Sequence, residues 1–198
     1  MKAQILDGQQ LANQIKNELI TKIVDFREKT GMAPGLAAIL IGASPASQLY
    51  VEMKEKACKQ TGIYSQVIRL PEKIDENKVI ELIDSLNNNN KIHGILVQLP
   101  LPAHLNKARI LEAVSPKKDV DGFHPLNQGR LLNYDPEVFV SCTPLGILRL
   151  LESVKFDFKG KQAVVVGRSI EVGKPLALLL LARHATVTIC HSDRRAHV

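Results

Sequence analysis

Runs of small apolar residues closed off by glycine set the terms on which this chain can fold. Gly35-Leu36-Ala37-Ala38-Ile39-Leu40-Ile41-Gly42 contains no polar side chain. A strand with one wet face alternates polar and apolar residues, whereas an unbroken apolar run needs cover on both faces, as in a parallel sheet. Gly94-Ile95-Leu96-Val97-Gln98-Leu99 is a second strand, apolar up to Gln98, with a further strand expected over residues 65–70. Helical patterns alternate with them. Leu11, Ile15, Leu19 and Ile23 recur every four residues and predict an amphipathic helix over residues 9–29, stopped near Gly31 and Pro34. Ser44-Pro45 reads as the N-cap and first residue of another helix, and a third is expected over residues 75–87. Repeated β-α-β of this kind implies an α/β fold with a parallel sheet covered by helices.

The segment 115–135, rich in proline, glycine and charge, reads as loop. A helix over residues 143–154 then leads to a smaller pattern: strand 162–166, helix 174–183, strand 185–190. The domain boundary is expected on the linking helix, giving domains of residues 1–148 and 149–198. One β-α-β unit of that size cannot cover both faces of strands as apolar as residues 163–166, so the segment after Lys159 is expected to be held loosely.

Composition excludes several classes. With 45% hydrophobic and 23% charged residues the chain is a globular one, and its net charge of +6 suits an anionic small molecule without requiring one. No Lys/Arg block is interleaved with aromatics, so nucleic acid is not indicated. The N-terminal Asp7 interrupts any signal-peptide run, and residues 175–182 are too short an apolar stretch to cross a bilayer. Cys58, Cys142 and Cys190 are odd in number and widely spaced, which fits a reducing cytoplasm and three buried thiols better than a disulfide framework or a zinc site.

In an open parallel sheet, ligands bind beyond the carboxyl ends of the strands. Tyr50 and Lys54 lie four residues apart on the helix that follows the first apolar run, so they share a helix face. Burial strips an ammonium of its water and favours the neutral amine, which can act as a general base; a solvated surface lysine is the alternative. Gln98, in Gln98-Leu99-Pro100-Leu101-Pro102, ends the second run, where its amide can hydrogen-bond a bound ring, orient a neighbour, or cap its own turn. Lys118-Asp119-Val120-Asp121-Gly122-Phe123 sets two carboxylates before a turn glycine, an acidic turn or a weak cation loop lacking the rest of an EF-hand.

In the second domain, Val166-Gly167-Arg168-Ser169-Ile170-Glu171-Val172-Gly173-Lys174-Pro175 runs from strand through glycine into helix, as a phosphate-binding turn does. It is neither a G-x-G-x-x-G fingerprint, since position 169 is serine, nor a P-loop, since Pro175 stands where serine or threonine belongs. His191-Ser192 ends the next strand, where a ribose or its 2′-phosphate lies. Arg168 and Ser192 in reach of a 2′-phosphate would favour NADP over NAD.

The segments "PASQLYVEMKEKAC", "GILVQLPLP", "KDVDGFHPLNQGRL", "CTPLGI" and "VVVGRSIEVGKP" together resemble the bifunctional methylenetetrahydrofolate dehydrogenase/cyclohydrolase family in order and spacing. The resemblance implies a folate-binding catalytic domain followed by an incomplete Rossmann-like NADP-binding domain. It implies that Lys54 is the catalytic lysine, that Tyr50 stacks on the folate, that Gln98 tunes Lys54 and that Asp121 holds the pterin, with Val97 and Leu99 also at the substrate. Thr143, Gly167, Arg168, Ser169, Gly173, His191 and Ser192 are the implied NADP-binding residues, with no metal. A cytoplasmic homodimer in one-carbon metabolism and purine biosynthesis is likewise implied. Here the chain ends at "HSDRRAHV", before the family's glycine- and proline-rich folate loop and final helix. The alternatives are a catalytically silent folate-binding or dimerising remnant, and a two-domain NADP dehydrogenase of the shikimate type, which would leave "YVEMK" with "VQLPLP" unexplained.

Overall fold

The computed structural model describes residues 3–192. They form two compact units, one of Ala12–Val120 and one that joins the residues up to Leu11 to those from Asp121 onward. The first unit holds α1 (Gly8–Thr30) from Ala12 onward, then β1 (Gly35–Ile41), α2 (Pro45–Thr61), β2 (Tyr64–Leu70), α3 (Glu76–Asn87), β3 (Gly94–Val97) and α4 (Lys107–Ala113). The strands pair in the order β2-β1-β3, all parallel, with Gly35 opposite Tyr64 and Leu36 opposite Gly94. The unbroken apolar run is therefore the central strand, and Ala37 and Ile39 are wholly buried.

The head of β1 is fixed from one side. The Gly35 amide donates to His93 Nδ1 at 3.0 Å while the His93 amide donates to the Gly35 carbonyl at 2.8 Å. A Cβ on Gly35 would overlap the Lys91 carbonyl oxygen, so the two backbones approach as only glycine allows. At the other end the chain turns through Gly42, φ 82°, into α2. Pro45 takes the first helical position as expected, but the Ser44 hydroxyl makes no capping bond; only its carbonyl does, to the Gln48 amide at 3.0 Å. In α3 the Asp75 carboxylate accepts from the Asn77 amide, and Val79, Ile83 and Leu86 face the core. The expected apolar stripe of α1 is less committed. Ile23 alone is buried, and Ile15 and Leu19 remain 38% exposed.

The second unit contains α5 (Pro125–Leu132), α6 (Cys142–Ser153), β4 (Gln162–Val166), α7 (Gly173–Ala182) and β5 (Thr186–Cys190). Its core gathers Leu131, Leu148, Phe158, Val165, Leu179 and Leu180. β4 and β5 are parallel neighbours, and α6 packs against α7. The segment 115–135, expected as loop, holds α5 instead. Pro125 pre-sets the first helical turn and the His124 ring accepts from the Leu126 amide, so residue types that suggest a loop here start a helix. Along β4 only Val165 is buried; Val164 and Val166 are 65% and 85% exposed. None of the three cysteines is in a disulfide; Cys58 alone is buried, and that burial pushes its thiol above the usual cysteine range. Cys142 is exposed and Cys190 half-buried, against the expectation of three buried thiols, because one opens α6 and the other ends β5.

Gly35→Ala is expected to destabilise the protein by about 1–3 kcal/mol through overpacking against backbone. Gly146→Ala, within α6 where a Cβ meets nothing, is expected to stabilise it by about 0.5–1 kcal/mol. Urea unfolding followed by circular dichroism measures both.

Candidate active site

In the first unit, the carboxyl ends of β1 and β3 bring two sequence-distant groups together. The Gln98 amide donates to the Ile39 carbonyl at 2.9 Å, which carries the parallel pairing one residue past β3. Lys54, half-buried on α2, donates from Nζ to Gln98 Oε1 at 3.0 Å. Gln98 Nε2 donates in turn to the Leu99 carbonyl at 2.8 Å. A backbone carbonyl can only accept, so this second bond fixes which way the amide faces and turns its oxygen to the lysine. Gln98 thus both orients a neighbour and caps its own turn, two roles the sequence left as alternatives.

Tyr50 sits one helical turn before Lys54 and is 58% exposed, beside Leu49 and Met53 with similar exposure. An open aromatic and aliphatic surface therefore adjoins the anchored lysine, a combination that suits a flat ring. Val97 is buried in the sheet and Leu99 is half-buried. Asp121, half-buried, opens the second unit; the preceding Asp119 is buried and bridges to Ile95 beside β3. Among the described residues, no group of three His, Cys, Asp or Glu side chains is placed to hold a metal ion.

In the second unit the turn after β4 folds back on itself. Gly167, φ 134°, donates its amide to the Cys190 carbonyl at 2.7 Å, extending the β4–β5 pairing. Ser169 Oγ accepts from the Val172 amide at 3.1 Å, and the Ser169 carbonyl accepts from the Lys174 amide at 3.0 Å. A Cβ on Gly173 would overlap the Gly167 carbonyl oxygen. Two glycines thus hold the mouth of the turn tight at the N-terminus of α7, where backbone can approach a phosphate and the helix dipole favours negative charge. This geometry fits a dinucleotide. Arg168 and Ser169 are exposed on the turn, Thr143 is exposed in the first turn of α6, and Ser192 is exposed after β5. His191 is half-buried, and its Nδ1 has no hydrogen-bond partner among the described residues.

Ser141 was not singled out by sequence reasoning. It reads as the N-cap of α6, yet its hydroxyl donates to the Glu171 carbonyl at 2.6 Å and ties that helix to the turn. A cavity of about 270 Å³ lies beside it, lined by Leu131, Leu132, Ser141, Ile170, Lys174 and Leu178 among others. It borders the turn without including Gly167, Arg168 or Ser169.

Residues 6–121 match the tetrahydrofolate dehydrogenase/cyclohydrolase catalytic domain, and residues 141–197 match the NAD(P)-binding domain of the same family. The chain belongs to the tetrahydrofolate dehydrogenase/cyclohydrolase family. The bifunctional protein FolD of Thermodesulfovibrio yellowstonii is 54% identical over 192 residues, covering 97% of this chain and 66% of that protein. FolD of Moorella thermoacetica is 52% identical over 195 residues, 98% of this chain and 69% of the relative. Among solved structures, the Campylobacter jejuni bifunctional enzyme FolD superposes with a TM-score of 0.94 at 47% identity, covering 97% of this chain and 68% of the other. The Trypanosoma brucei family member, solved with NADP cofactor and inhibitor, gives 0.94 at 34% identity, covering 98% and 66%. The chain spans about two thirds of the length of the curated relatives it matches.

Within this family member, Gly173→Ala is expected to cost about 1–3 kcal/mol by forcing the turn open. Ser169→Ala, which removes an acceptor at the start of α7, is expected to cost about 1 kcal/mol. Both are read from the chemical unfolding of the second unit.

Proposed function

We propose that this chain carries the folate site and part of the nucleotide site of an enzyme of one-carbon metabolism. The enzyme oxidises 5,10-methylenetetrahydrofolate with NADP and hydrolyses the resulting 5,10-methenyltetrahydrofolate to 10-formyltetrahydrofolate. The observation that carries the reading is the Lys54–Gln98 hydrogen bond beside Tyr50 at the carboxyl ends of β1 and β3, in a chain of this family. Residues 1–148 are assigned to folate and residues 149–198 to the nucleotide, with Thr143 reaching the nucleotide from the linking helix.

NADP, when bound, accepts the hydride that leaves the methylene carbon. The product is a methenyl cation, to which water adds with loss of a proton before the ring opens to the formyl product. Tyr50 offers its ring face to the flat folate. Lys54, held by Gln98, is placed to take the proton from the attacking water. Asp121 accepts hydrogen bonds from the pterin, and Val97 and Leu99 are assigned to the same substrate. On the nucleotide side, Gly167, Ser169 and Gly173 hold the phosphates by backbone, Thr143 and His191 flank them, and Arg168 with Ser192 reads the 2′-phosphate. A cytoplasmic homodimer serving purine synthesis goes with this reading on family resemblance alone.

Lys54→Met is expected to abolish hydrolysis of methenyltetrahydrofolate, followed by absorbance, while NADP affinity stays within about threefold because the nucleotide turn lies in the other unit. Retained hydrolysis would refute the role of Lys54. Arg168→Ala is expected to weaken NADP about 10- to 100-fold, the loss of a charged partner worth about 1.5–3 kcal/mol, and to leave NAD nearly unchanged. Calorimetric titration of both dinucleotides decides it, and equal losses would show that Arg168 does not read the 2′-phosphate.

A further inference from the structure

Lys118 spends its ammonium on backbone at the far end of α3. Its Nζ donates to the carbonyl oxygens of Leu86 at 3.1 Å and Asn89 at 2.9 Å. The same carbonyls also accept from backbone, Leu86 from the Asn89 amide at 3.2 Å and Asn89 from the Ile92 amide at 3.1 Å, so the ammonium is their second donor, placed at the negative end of the helix dipole. The side chain is half-buried, and loss of hydration pushes the ammonium below the ordinary lysine range.

The backbone around this lysine is held just as closely. Its amide donates to the Ser115 carbonyl at 2.8 Å, and its carbonyl accepts from the Ile95 amide at 2.7 Å. Asp119 continues the bridge to Ile95, and Val120 fills the space over Gly94, where a Cβ would stand 2.5 Å from Val120 Cγ1. Asn87 adds a second tie from α3: Nδ2 donates to the Ala113 carbonyl at 2.8 Å and Oδ1 accepts from the Ser115 amide at 2.9 Å. Residues 113–120 are therefore laced both to the end of α3 and to β3.

Ending α3 does not by itself require a lysine 29 and 32 residues further on, since backbone amides already reach both carbonyls without desolvating a charge. What the lysine adds is a side-chain tie from residues 118–120 to the end of α3, and the next residue along is Asp121. We propose that Lys118 is a positioning residue for the substrate, clamping the segment that presents Asp121 so that its carboxylate is set before the pterin arrives. The proposal rests on the folate reading of Asp121 given above.

Two measurements on the full chain test it. In the free protein, Lys118→Met is expected to speed hydrogen exchange at the amides of Ile95 and residue 118 about tenfold or more, leaving Ile39 unchanged, whereas Lys118→Arg stays near the unsubstituted rate. In calorimetry with tetrahydrofolate, Lys118→Met is expected to weaken binding about tenfold and Lys118→Arg to restore most of it. Combined with Asp121→Asn it should add little to the loss from Asp121→Asn alone, because both changes act through one carboxylate. Unaltered exchange at Ile95, or losses that multiply in the double variant, would overturn the proposal. If the unsubstituted chain binds no tetrahydrofolate, the folate reading fails, and exchange at Ile95 still decides whether Lys118 fixes this segment. Should Lys118→Met not fold, Lys118→Gln, whose amide can reach one carbonyl, replaces it with the same readouts.

Discussion

Parallel pairing of β1 on both of its edges is the constraint on which the first unit depends. A strand so placed is closed to water on every side, which explains why its residues are apolar without alternation and why Gly35 must admit the backbone of Lys91. Its neighbours run the same way, so the carboxyl ends of β1 and β3 come level. That alignment brings Lys54 of α2 and the residue after Val97 to one rim. The Lys54–Gln98 contact is thus a product of sheet register: a shift of β3 by one residue would move Gln98 off the Ile39 carbonyl and turn its side chain to the opposite face.

The second unit uses a different device for a comparable end. Its turn is shaped by the two glycines that let it close on itself and by Ser169, whose hydroxyl and carbonyl both accept from the start of α7. Neither glycine is replaceable by alanine without moving backbone. The hydroxyl of Ser141 extends the arrangement to α6, so the turn is held from its own strand, its own helix and a neighbouring helix.

Much of this was legible in the residues. The runs 35–42 and 94–99 announced buried strands because nothing polar interrupts their centres, and Pro45 announced the start of α2. The i,i+4 relation of Tyr50 and Lys54 followed from helical geometry alone. What stayed hidden depended on contacts between distant segments. α5 was read as loop because proline, glycine and charge dominate its surroundings, although proline at a first helical position favours a helix. No local pattern could say that Gln98 would be turned by the Leu99 carbonyl, or that Lys118 would reach back to Leu86 and Asn89. The exposure of Cys142 and Cys190 follows from their places at element ends, which composition does not reveal.

The Lys54–Gln98 bond also bears on how the chain reaches its folded state. The two residues are 44 positions apart, and the Gly35–His93 bond at the opposite end of the sheet spans 58. α2 can form from local bonds as soon as its own residues are free to coil, but its lysine has no acceptor until β3 has docked along β1. Closing loops of that length is paid in chain entropy before any contact repays it. The Lys54–Gln98 contact therefore forms only after that docking, and a partly folded chain with α2 already helical leaves the Lys54 side chain in solvent.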